Sequence, residues 1–309
     1  MKGARITALA GGTGSVKLVR GLYTINRSTL TVIVNVGDNV WMHGLYVCPD
    51  IDTIVYGLAG ILDQPRGWGV KDDTFNFQKQ LASLGEKTWF QLGDRDLATH
   101  VWRTMRLRKG ATVSEITKAL CERFSIEAKV IPVTNEFLET RVVADHEEMH
   151  LQEFWVKRRG RDTVTRIKYF RTAKAKPAPE VLDAIGSADL VIICPANPIS
   201  SIGPILAVPG VRRALSRTSA KVLAVSPIIG SNPVSGPAGT FMKAMKIEVS
   251  PLGVALFYRS FLDEMVLHIS DRNLAPRMTG IGVRPKITDV LMRSAEDEIR
   301  LAKFLVTDV

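Results

Sequence analysis

A run of glycines between an apolar strand and an amphipathic helix constrains this chain more than any other feature. Arg5 to Ala10 reads as a strand, and Gly11-Gly12-Thr13-Gly14 breaks it. Ser15 to Tyr23 then places Val16, Leu18, Val19 and Leu22 at helical spacing. Leu30 to Asn35 is nearly all β-branched, as a parallel strand buried on both faces should be. Two such strands around a helix make a βαβ unit, whose crossover is right-handed. A glycine turn in that setting is suited to phosphate: the backbone approaches closely, free N–H groups point at the anion, and the helix start is partly positive. The motif is neither a Walker loop, since no Gly-Lys-Ser/Thr follows, nor a full dinucleotide fingerprint, since the third glycine is missing. A phosphate cradle and a merely structural turn therefore both remain open at this point.

The rest of the chain extends the pattern. Val36 to Asp52 is a long polar connection. Helices are expected at Thr53 to Leu62, Phe75 to Leu84, Leu97 to Arg108 and Val113 to Phe124. Thr140 to Phe170 alternates and carries turn signals, which predicts antiparallel hairpin strands. Strands return at Asp189 to Cys194, Lys221 to Ser226 and Met265 to Ile269, with helices after Pro209 and from about Pro237. Ser294 to Val306 reads as a terminal amphipathic helix. The predicted class is α/β, a Rossmann-like doubly wound, mostly parallel sheet. It forms one domain over residues 1–309, with an inserted helical and hairpin subdomain at about 75–175.

With 46% hydrophobic and 23% charged residues, collagen-like and disordered classes are excluded. The longest apolar runs, such as Leu190 to Cys194, are far below the roughly 20 residues a membrane helix needs. No signal-peptide pattern opens the chain. Cys48, Cys121 and Cys194 are scattered, as reduced thiols in a cytoplasm would be. The net charge of +10 calls for an anionic partner. The densest basic stretch, Lys157 to Lys176, holds nine Lys or Arg but no zinc-finger spacing and no aromatic–glycine signature. It reads as a solvated hairpin face. An anionic small molecule is therefore expected, without nucleic acid or membrane.

Asp38, Asp50 and Asp52 follow the second strand, in Asn35-Val-Gly-Asp38 and Cys48-Pro-Asp50-Ile-Asp52. Loops after the strands of an open parallel sheet form its ligand crevice. Carboxylates facing a phosphate loop there call for a hard divalent cation such as Mg²⁺. The competing reading makes them caps of the next helix. Asp96 opens a further helix, and His100 shares its face four residues on. His146 and His150 have no zinc spacing. Two late loops combine stiffening prolines with N–H and O–H donors: Asn197, Ser200 and Ser201 in the first, and Gly230, Ser231 and Asn232 in the second.

Taken in order, these motifs resemble a known family. They are Gly11-Gly-Thr-Gly14, Asn35-Val-Gly-Asp-Asn39, His43 through Cys48-Pro-Asp-Ile-Asp52-Thr53, Trp68-Gly with Asp73-Thr-Phe75, Leu92-Gly-Asp-Arg-Asp96, Asn197 through Gly203-Pro204, and Ser226 through Gly239. Seven motifs between about residues 5 and 270 are similar to the 2-phospho-L-lactate transferases of deazaflavin-coenzyme (F-420) biosynthesis.

The resemblance implies a Rossmann-like homodimer that needs Mg²⁺. The donor would be lactyl-2-diphospho-5′-guanosine or a phosphoenolpyruvate-type counterpart. The acceptor would be 7,8-didemethyl-8-hydroxy-5-deazariboflavin, and GMP would leave. It implies a deazaflavin contact at Asp52 and at Gln91, where some relatives carry a basic residue. Trp41 and His43 are further candidates to lie against the ring. Asp50 and Asp52 are the candidate catalytic residues, one of them as general base. The expected metal ligands are Asp38, Asp50 and Asp52. Gly11, Gly12, Thr13, Gly14 and the two late loops would hold the donor. A sister family shares the glycine opening but regulates metabolism by binding nucleotide sugars. Its Asp-Asp-Gly-Gly-Ser-rich loop is replaced here by Asp38-Asn-Val-Trp-Met-His-Gly44.

Overall fold

The computed structural model describes residues 3–307. Its centre is a parallel sheet of seven strands: β1 (Ile6–Ala10), β2 (Leu30–Val34), β3 (Lys129–Pro132), β4 (Leu190–Ile193), β5 (Lys221–Val225), β6 (Glu264–His268) and β7 (Arg284–Thr288). The spatial order is β7-β6-β5-β4-β1-β2-β3, with Ile6 of β1 beside Leu30 on one side and Leu190 on the other. Strand order reverses between β1 and β4, which makes the gap beyond their carboxyl ends the switch point of a doubly wound sheet. The inner strands are apolar on both faces and wholly buried along β1 and β4, since helices cover both sides.

The two edge strands were hard to read in the sequence. Both carry a proline, Pro132 on β3 and Pro285 on β7, and proline is tolerated at an edge because one side of the ladder there has no partner. β3 lies inside the span 75–175 assigned above to an insertion. That span therefore adds a strand to the core as well as helices and a three-stranded antiparallel sheet (139–144, 147–150, 164–170).

Helix α1 (Gly12–Ile25) follows β1 directly. α2 spans Pro49–Leu58, with proline in its first turn, a position where the missing N–H is no loss. The helix expected from Thr53 therefore begins four residues earlier. α3 (Asn76–Ser83) and α4 (Asp94–Arg108) come next, then α5 (Val113–Arg123). α1 and α2 pack closely at Gly57, where a β-carbon would run into Val16. The polar connection after β2 contains a small hairpin, Val40–Met42 with Leu45–Val47. Its turn residues His43 and Gly44 both have positive φ, the backbone a two-residue hairpin of matching twist demands. A short helix, Ile202–Ala207, was missed because Gly203 and Pro204 read as a loop. Both sit in its first turn, where proline does no harm.

Candidate active site

A cavity of about 740 Å³ opens at the switch point, within the usual range for small-ligand sites. Its floor is the turn after β1. Gly12 has φ of +69°, a left-handed conformation that glycine alone adopts freely. A β-carbon at Gly14 would collide with the Pro195 carbonyl, and one at Gly11 would come within 2.9 Å of an Asp50 oxygen. The Ser15 hydroxyl clamps the turn by accepting from Gly11 N (3.0 Å) and donating to Gly11 O (2.8 Å). Opposite lies Asn197 after β4, whose Oδ1 accepts from Ile199 N and Ser200 N. Its buried Nδ2 has no partner and is free to donate. Gly11 to Gly14, Asn197, Ser200 and Ser201 all line the cavity.

The aspartates divide. Asp50 and Asp52 stand two positions apart on α2, about 200° around the helix axis, so their side chains diverge. Asp50 turns toward the glycines: Asn35 Nδ2 donates to Asp50 Oδ2 (2.8 Å) and to Asp38 Oδ1 (2.9 Å). Burial pushes Asp50 up to about 6, opposed by the Asn35 amide and the Gly12 N–H. Burial and the neighbouring Asp50 charge raise Asp38 well above the ordinary carboxylate range. Asp52 instead pairs with Arg103 of α4. The three aspartates expected to share one metal thus form two separate clusters. Neither Asp50 nor Asp52 caps α2, for both lie inside its first turn without a side-chain capping bond.

The Asp52 cluster is extended by His100, Asp96 and Tyr56. His100 Nε2 lies 3.3 Å from Asp96 Oδ1, which also accepts from the Tyr56 hydroxyl (2.8 Å). Asp52, Asp96 and His100 are close enough together to suggest a metal site, but the protons argue against it. Arg103 Nη1 lies 3.1 Å from His100 Nδ1. A guanidinium only donates, so Nδ1 accepts and the ring proton sits on Nε2, where a metal would have to bind. Arg103 also neutralises Asp52. Asp38 and Asp50 are the better fit for a cation: two buried carboxylates, one amide between them and no basic partner among the described residues, an all-oxygen set suited to a hard ion.

Arg103 is buried to within 1% and was missed in the sequence. The signal was available, since Asp96, His100 and Arg103 recur at four and three residues along one face of α4. Other parts of the same motif are structural. The Asp73 carboxylate accepts from Arg95 N and Asp96 N at the start of α4. Asp94 accepts from Asn76 N and Phe77 N at the start of α3. Each helix start is thus held by an aspartate outside that helix.

The remaining cavity wall is aromatic, from Trp68, Trp89, Phe90 and Trp155, with Gln91 beside them and Arg66 stacked on Trp68 at 5.2 Å. Arg66 and this wall were not anticipated. Trp41 and His43 do not line the cavity. Trp41 is 50% exposed on the small hairpin and packs on Tyr46 at 5.1 Å, and His43 is spent on the hairpin turn. Gly230, Ser231 and Asn232 form the tip of another hairpin outside the wall; Gly230 N donates to Asp271. From that loop it is Pro227 and residues 234–237 that reach the cavity.

Fold and cavity define a doubly wound α/β protein with a ligand site at the switch point, one side glycine-rich and acidic, the other aromatic. The chain belongs to the 2-phospho-L-lactate transferase CofD family, which it matches over residues 6–299. It is 41% identical to the 2-phospho-L-lactate transferase of Methanosarcina acetivorans, over 96% of this chain and 97% of that one. It is 40% identical to the enzyme of the same name from Methanocaldococcus jannaschii, over 97% of each. The phosphoenolpyruvate transferase of Mycolicibacterium smegmatis is 38% identical over 94% of each. Among solved structures, a UPF0052-family protein from Bacillus halodurans has the same fold, with a TM-score of 0.65 at 16% identity, covering 98% of this chain and 99% of that one. No helix among the described residues is long and apolar enough to cross a membrane.

Proposed function

We propose that this enzyme transfers a 2-phospho-L-lactate or phosphoenolpyruvate-type group from a guanosine diphosphate ester, lactyl-2-diphospho-5′-guanosine or its counterpart, to 7,8-didemethyl-8-hydroxy-5-deazariboflavin. GMP leaves, and the glutamate-free F-420 precursor forms. The names of the relatives support the reaction class. The observation that carries the reading is the divergence of Asp50 and Asp52. One helix turn sends one carboxylate to the phosphate-type loop and the other to Arg103 and His100 of α4, so donor and acceptor would meet across α2.

In this reading the glycine turn and the Asn197 loop hold the donor's diphosphate through N–H and amide donors. Asp38 and Asp50 would hold Mg²⁺, which supplies neutralisation of diphosphate charge when bound. The aromatic wall takes the deazaflavin ring face-on or edge-on, with Gln91 at its border. Asp52 accepts a hydrogen bond from the acceptor, and takes the proton of its terminal ribityl hydroxyl as that oxygen attacks phosphorus. Catalysis is mainly positioning and charge neutralisation. The chain acts on small molecules, as a cytoplasmic homodimer, without nucleic acid or membrane.

Incubation with the deazaflavin, the guanosine donors and Mg²⁺, with products read by mass spectrometry, tests this. A product carrying one added phospho-acid on the deazaflavin, with GMP released, supports it. Binding of a UDP-sugar with no turnover would favour the nucleotide-sugar regulator instead. The same experiment shows which three-carbon acid the donor carries.

A further inference from the structure

Asp52 enters the cavity with one oxygen engaged and one vacant. Oδ1 accepts from Arg103 Nη2. Oδ2 is buried and has no hydrogen-bond partner. Behind this carboxylate the contacts of Arg103 fix the donors. Arg103 is permanently charged, and its Nη1 donates to Tyr46 O (3.3 Å) and to His100 Nδ1 (3.1 Å). His100 is thereby held as the Nε2–H tautomer, with that proton toward Asp96. The Thr104 hydroxyl donates to His100 O (2.7 Å) and accepts from Tyr46 N (2.9 Å), tying α4 to the small hairpin. Two buried polar atoms of this array are left without a hydrogen bond: His100 Nε2, 3.3 Å from Asp96 Oδ1, and Asp52 Oδ2, 3.6 Å from His100 Nδ1, on a residue that lines the cavity.

We infer that Arg103 and His100 are positioning residues of the acceptor site: they fix the Asp52 carboxylate in one orientation and reserve Oδ2 for a hydroxyl or N–H of the deazaflavin. This rests on the reading that Asp52 meets the acceptor. Neither residue touches the donor's glycine loop, so their influence should fall on one substrate and spare the other.

The test measures two affinities on each variant: deazaflavin by its fluorescence, and GDP, the donor's nucleotide part, by calorimetry. Arg103→Met should weaken deazaflavin binding about 10- to 100-fold, the size of a lost charge-assisted hydrogen bond, and leave GDP binding within about threefold. Arg103→Lys, which keeps the charge, should recover part of the loss. His100→Asn places an acceptor where Nδ1 stood and should bind deazaflavin more tightly than His100→Leu, and this pair decides the matter if Arg103→Met does not fold. In steady state, KM for the acceptor should rise while KM for the donor holds. Deazaflavin binding unchanged in Arg103→Met and His100→Leu would overturn the inference alone. Parallel loss of both ligands would also overturn it, by showing that these residues only hold the fold. A wild-type protein that binds no deazaflavin would overturn both this inference and the function on which it rests.

Discussion

Arg103 and Asp52 form a buried ion pair between α4 and α2, 51 positions apart in the chain. It joins α4, which opens with Asp94 and Asp96, to α2, which brings Asp50 and Asp52 into the cavity lining. Burying either charge alone would be strongly unfavourable, so the pair links the shape of the site to the stability of the fold.

Asp52→Ala should therefore do more than remove a functional carboxylate. It strands Arg103 in the interior, and a broken buried pair typically costs about 3–5 kcal/mol. Asp52→Asn keeps an oxygen for Arg103 and should be milder. Both should lose transfer activity. Chemical unfolding beside a product assay separates the two effects, and an Asp52→Ala protein as stable as wild type would contradict the structure.

Asp50 should show the opposite sign. Its carboxyl is pushed up to about 6, mainly by burial, from an ordinary value of 3.8. Between these values the folded chain keeps a proton that the unfolded chain has released. The stability of the metal-free protein therefore falls as pH rises through that window, and the full penalty is present above it. Asp50→Asn removes the penalty. In EDTA at pH 7.5 it should be more stable than wild type by on the order of 3 kcal/mol, with the advantage gone near pH 4. Denaturant melts at both pH values check this, and equal stability at pH 7.5 would contradict it.

Divalent ions should act through Asp38 and Asp50. EDTA should stop transfer and Mg²⁺ should restore it, while Asp50→Asn should raise the Mg²⁺ concentration needed for half-maximal rate. Added Mg²⁺ should also stabilise the wild-type protein more than Asp50→Asn, since binding to the folded state alone is stabilising. Full activity in EDTA, or rescue by Zn²⁺ alone, would refute the assignment.

Gly14→Ala should damage the donor side selectively. The added methyl meets the Pro195 carbonyl, which is backbone and cannot swing away. Overpacking of this kind costs about 1–3 kcal/mol. GDP affinity should fall at least about tenfold, the equivalent of 1.4 kcal/mol, with deazaflavin binding less affected. Calorimetry with each ligand is the measurement.

Much was legible in the sequence because it is written in local periodicity. The β1-turn-α1-β2 unit, the inner strands and the terminal helix (Ala295–Val306) each need only neighbours in the chain to declare themselves. The glycine turn, Asp38, Asp50, Asp52, Gln91 and the Asn197 loop do line the cavity, because loops at the carboxyl ends of parallel strands converge by topology. Tertiary structure decided what those residues face. Two aspartates that look like one motif were parted by helical geometry and drawn to different partners, Asn35 and Arg103. α4 buries Asp96, His100, Arg103 and Thr104 while exposing Val101 and Met105, against the usual hydrophobic ordering. The spacing of Asp96, His100 and Arg103 marks one polar face of α4, but its burial follows from the Asp52 carboxylate that Arg103 meets on α2. Trp41 and His43 were candidates by their place in the polar loop after β2, yet the small hairpin holds them outside the cavity lining. Sequence thus determined the elements and the set of polar groups. Only packing determined which carboxylate gained a cation and which was left with another carboxylate, since that depends on distances between residues far apart in the chain.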